Sequence, residues 1–127
     1  MKRYFVMLVV LVLETGIAQA ELPEGIQRLL LQTTTGTGHM DMTCAYWANY
    51  AAAVIKKRDS GVSEDDAEKA VEMPIEGDDH SAELHMRRIA MFDDIYERDD
   101  LQRYSPKKIR DILFKACGES YRANLSH

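Results

Sequence analysis

Cys44 and Cys117 are the two cysteines of a 127-residue chain, and what chemistry they do depends on whether they meet. Cys44 sits in TCAYWANYAAAVIKKRDSG, Thr43 to Gly61, at the start of a helical pattern, three residues before the single tryptophan, Trp47. Cys117 closes a second helical pattern, and each thiol falls on its helix's apolar stripe. Two thiols facing one core in an oxidising compartment form a disulfide. A loop of about 73 residues then gains roughly 4 kcal/mol through the unfolded state, comparable to the net stability of a small domain. The competing chemistry makes Cys44 a thiolate nucleophile activated by the helix N-terminus, with His39 as base. That reading lacks an orienting third residue, and a second cysteine on a complementary face favours the disulfide. There is no C-x-x-C for disulfide exchange.

Glu76, Asp78, Asp79, His80, Glu83 and His85 crowd into ten residues and raise the question of a metal. The spacing of five from His80 to His85 places them about 140° apart on a helix, and no D-x-[DN]-x-[DN]-G calcium loop is present. The segment reads as a solvated acidic loop, with no metal and no cofactor expected. With no paired carboxylates in identifiable environments and no nucleophile elbow, no catalytic residue is assigned and a non-enzymatic protein is expected.

What remains is charge. Asp and Glu total 21 against 16 Lys and Arg, for a formal charge of −5. That excess argues against nucleic acid and anionic lipid as partners, because a phosphate backbone needs a clustered basic face. Residues 59–83 hold ten acids against Lys69 alone, whereas residues 87–122 carry nine bases and seven acids. A polarised molecule of this kind either solubilises itself or steers a basic protein partner. On the second reading Glu64, Asp65, Glu68, Glu72, Asp78 and Asp79 form the acidic surface. Tyr46 and Tyr50, one turn apart beside Trp47, are its contact anchors, while Trp47 shares the face of Cys44 and belongs to the core.

These residues need elements to hold them. The chain opens MKRYFVMLVVLVLETGIAQA: Lys2 and Arg3, an apolar run, then small residues ending in Ala20, the layout of a secretory signal peptide over 1–20. A membrane anchor is the alternative, but the run breaks at Glu14, short of the roughly 20 apolar residues a span needs. Cleavage makes the remainder more acidic by one charge and points to a periplasmic or secreted protein with no membrane span. Residues 21–40, with the glycine-broken TTTGTG, read as a flexible arm in which Ile26, Leu29, Leu30 and Leu31 either form one helical turn against the body, the favoured reading, or serve as a docking segment for a partner.

A helical domain is expected over 41–118 and a polar, fraying tail over 119–127. Cys44, Trp47, Ala48, Ala51, Ala52 and Ile55 make an apolar stripe on a helix of about 41–58, stopped by Gly61. Ser63 caps a short second helix that ends by Pro74. A third runs from about Ala82 to Asp99, with Ile89, Phe92, Ile95 and Tyr96 inward and Leu84, Met86 and Met91 widening that face. Ser105-Pro106 starts a fourth, carrying Ile109, Ile112, Leu113, Ala116 and Cys117, with Gly118 ending or kinking it. The fold expected is all-α, a bundle of about four helices closed by one disulfide.

The run C-A-Y-W-A-x-x-A-A-A-x-I-x-x-R-D-S-G-V-S, the later I-Y, and Y-S-P-K-K-I-R before Cys117 resemble a group of small helical two-cysteine periplasmic proteins of proteobacteria, over residues 44–117. The group shares no agreed activity, so the resemblance transfers no catalytic residue. In size, compartment and cysteine topology the chain is also similar to acid-stress periplasmic chaperones of the HdeA kind, although its cysteines are farther apart. That likeness implies a protein that loosens in acid as its carboxylates protonate.

Overall fold

The structure is a computed structural model that describes residues 22–33 and 44–125, with side chains to residue 120. Within them the elements are α1 Glu24–Thr33, α2 Cys44–Asp59, α3 Glu64–Glu68, α4 Asp79–Glu97, a 3₁₀ turn Asp99–Leu101 and α5 Pro106–Leu125. No strand occurs among the described residues, so the expected all-α architecture stands. The proposed signal peptide over 1–20, residues 34–38 of the TTTGTG run and His39 lie outside the described residues.

Helix α2 is central. Its small residues Ala48 and Ala51 are buried beside Trp47, Val54 and Ile55, and α5 packs along it more extensively than any other pair of elements. The buried arc takes in Val54 and leaves Ala52 half-buried, because α2 must cover α4 as well as α5. From α5 come Ile109, Leu113, Ala116 and Cys117; from α4, Met91, Phe92 and Ile95. Cys44 and Cys117 are joined, with Cα atoms 5.6 Å apart, and Cys117 is buried in the same core cluster as Trp47.

The helix boundaries follow from local chemistry. Gly61 adopts φ 87°, and Gly61 N–H and Val62 N–H bond back to the Arg58 and Lys57 carbonyls, closing α2 with a left-handed stop. Ser63 Oγ accepts from Asp66 N–H, and Ser105 Oγ from Lys108 N–H, so both expected caps form. Helix α4 begins at Asp79, ahead of the expected Ala82, because the Asp78 carboxylate accepts from both His80 and Ser81 N–H. Helix α3 stops at Glu68, before Pro74 is reached.

Three expectations are corrected. The segment 21–40 is not a flexible arm over Glu24–Thr33: that stretch is a ten-residue helix with Ile26 and Leu29 fully buried and Leu30 nearly so. Leu31, expected beside them, points outward. Gly118 does not end α5, which continues through 119–125 where a fraying tail was expected. Met86 does not widen the inward face of α4; it is 70% exposed, six residues and so about 120° round the helix from buried Phe92.

Polar contacts explain why α1 docks so firmly. The Asp100 carboxylate accepts from Gly25 N–H at 2.9 Å, and a Cβ on Gly25 would meet that carboxylate and Leu101 at 2.8 Å, so only glycine allows the approach. Arg28 pairs with Asp94 at 3.2 Å, Arg98 reaches Glu24 at 3.6 Å, and Arg87 donates to the Leu31 and Gln32 carbonyls at the C-terminal end of α1.

Candidate functional site

The expected interface residues divide among three places. The first gathers around Arg88 of α4, whose side chain is only 11% exposed. Its Nε donates to Tyr46 Oη at 2.7 Å, its guanidinium carbon lies 5.6 Å from the Tyr46 ring centroid, and its Nη1 reaches Glu72 at 3.4 Å. Tyr50 stacks on Tyr46 at 6.5 Å and donates its hydroxyl to the Arg88 carbonyl at 3.4 Å. Burial pushes the Tyr50 phenol up to about 12, so it stays a neutral donor. Tyr46 and Glu72, distant in sequence, thus share one bridging cation, and Tyr50 joins them through the Tyr46 ring and the Arg88 carbonyl. Sequence reasoning missed Arg88, and nothing distinguishes it from neighbouring Arg87 except the face of α4 it occupies.

Glu72 begins a pinned segment. Its carbonyl accepts from His85 Nδ1 at 2.7 Å, Ile75 N–H donates to Ser81 Oγ at 2.7 Å, and Asp78 N–H returns to the Ile75 carbonyl across a turn in which Gly77 takes φ 82°. His85 is therefore occupied by the fold, and Asp78 by capping α4. Asp65 and Asp79 are exposed, while Glu68 is half-buried on α3. None of these three reaches the Arg88 group.

Glu64 goes elsewhere. Carboxylate oxygens of Glu64, Asp93 and Glu97 lie within 4.8 Å of one another where α3 meets α4. Burial, then the Glu97 charge, then Asp93 push the Glu64 carboxyl above its ordinary value. Three oxygens at this spacing have the geometry to bind a hard cation, and this grouping, formed across two helices, was not legible from sequence spacing. On its own the cluster is a repulsive contact that ionisation loads.

Arg58 lies with Lys56 and Lys57 in the last turn of α2, where a cation suits the helix's C-terminal end. Its guanidinium, 8% exposed, instead donates to the carbonyls of Ile95, Leu101, Gln102 and Tyr104 at 3.0 to 3.2 Å and pairs with Asp59. It fixes the turn that presents Asp100 to α1. No helix among the described residues is long and apolar enough to cross a membrane. No family model, no curated protein and no solved structure matches the chain, so what it does must be argued from these contacts alone.

Proposed function

We propose that the protein is an extracytoplasmic, non-enzymatic protein-binding module of the inhibitor, immunity or envelope accessory type, whose acidic surface meets a basic protein. The observation that carries this reading is the Arg88 bridge, which joins the Tyr46–Tyr50 pair on α2 to Glu72 at the edge of the acidic lobe. A fixed cation holding aromatic and acidic groups at one surface preorganises a contact, because those side chains lose little further freedom on binding. The charge excess of residues 59–83 then accelerates encounter with a cation. Stopped-flow association with fluorescent polylysine tests the reading. The rate should fall steeply as salt rises through the range where the Debye length shrinks from about 30 to 10 Å. A rate indifferent to salt overturns it.

A second reading is an acid-stress chaperone of the HdeA kind. The Asp100 clip on Gly25 favours it, since protonation there weakens the hold on α1 and uncovers Ile26 and Leu29. Binding of a hydrophobic dye together with protection of a client enzyme near pH 3 is the expected outcome. Failure of either removes this reading.

A further inference from the structure

Residues 72–75 carry no regular secondary structure and lie between the end of α3 and the turn at Gly77. Glu72 turns its carboxylate to Arg88 and Pro74 is half-buried, while Met73 is 73% and Ile75 67% exposed. Two large apolar side chains on a loose loop would be unremarkable. Here the backbone is fastened to α4 on both flanks, at His85 and at Ser81. The rigid segment therefore holds its apolar side outward.

Beside this pair in the sequence stand Glu76 and Asp79, both exposed, with Pro74 stiffening the chain between the two apolar residues. The charge selects the occupant. A second copy of this chain would bring acidic lobe against acidic lobe, and an anionic lipid surface would be repelled in the same way. A cationic amphipathic peptide segment satisfies both features, its apolar side chains on Met73 and Ile75 and its Lys or Arg on the neighbouring carboxylates. Met73 suits such a contact, because its unbranched thioether adapts to side chains of varied shape.

Resting on the protein-binding reading above, we propose that Met73 and Ile75, held out by the pinned segment 72–75, are the apolar seat for a cationic amphipathic segment of a partner protein. The test uses the whole disulfide-closed chain and two labelled peptides of equal charge, one with Lys and Leu at helical spacing and one with every Leu replaced by Ser, followed by fluorescence anisotropy. The Lys/Leu peptide should bind the parent more tightly than the Lys/Ser peptide does. Met73→Ser with Ile75→Ser should weaken the Lys/Leu peptide about tenfold and leave the Lys/Ser peptide unchanged. Phe114→Ser, which removes another large exposed apolar side chain, 55% exposed on α5, should change neither. If the double variant keeps parental affinity while Glu76→Gln with Asp79→Asn loses it, the apolar seat is refuted and the acidic reading survives. Equal weakening by Phe114→Ser refutes the seat as non-specific adhesion. If neither peptide binds the parent, both the seat and the acidic surface fall.

Discussion

Arg58 shows how one side chain can govern a distant contact. Its fork satisfies four carbonyls at the end of α4 and through the following turn, which a single ammonium cannot do. Arg58→Met should cost about 3 kcal/mol, because the carbonyls left behind are partly buried and lose their donor. Arg58→Lys should recover less than half of that loss. Urea midpoints at constant slope measure both, and a Lys variant as stable as the parent would show that charge alone, not the fork, is what matters. In the sequence Arg58 is one of three adjacent cations, Lys56, Lys57 and Arg58, each suited to the helix end. Only the path of residues 95–104 across α2 separates its role from theirs.

Among the elements, α1 and α3 respond to pH in opposite directions. The Arg98 guanidinium, hydrogen-bonded to Asp100, holds that carboxyl below its ordinary value of 3.8, and Gly25 N–H adds to the effect. A lowered folded pKa contributes stability above pH 3.8 that is lost as pH falls through the folded value. Glu64, raised above 4.5, contributes stability that is present below pH 4.5 and lost as pH rises through its folded value. Asp100→Asn should therefore lower stability at neutral pH and flatten the acid limb of the profile. Glu64→Gln should raise stability at neutral pH and change little below pH 4.5. Thermal midpoints across pH for the two variants check the signs, and a parallel response would contradict both assignments. Elements with a strong apolar period were legible in the sequence: α2, α4 and α5 lie close to where Cys44–Ile55, Ile89–Ile95 and Ile109–Cys117 place them. Helix α1 was not, because Ile26, Leu29 and Leu30 make too short a stripe to announce a helix. What orders it is Asp100, Asp94 and Arg87, supplied from more than fifty residues away. The Arg88 group was illegible for the same reason, its four members coming from α2, α4 and the segment between α3 and α4.

For the whole molecule, the bond between Cys44 and Cys117 is the one long-range covalent constraint among the described residues. It spans a sequence separation of 73, and reduction should lower stability by about 4 kcal/mol. Replacing both cysteines by serine should do the same, with denaturation curves in the presence and absence of reductant as the measurement. Charge polarisation acts at the same scale: the acidic lobe lies within the sequence enclosed by this bond, so reduction should weaken any contact that depends on the lobe's shape. Helix α1, though, is outside the ring that the sulfurs close. Its residues are held to the rest of the fold by hydrogen bonds, ion pairs and apolar contact, like a latch laid across a hoop. Amide protons of Leu29 and Leu30 should exchange with solvent through a partial opening that leaves those of Ala51 and Leu113 protected, so that one small protein carries two tiers of unfolding.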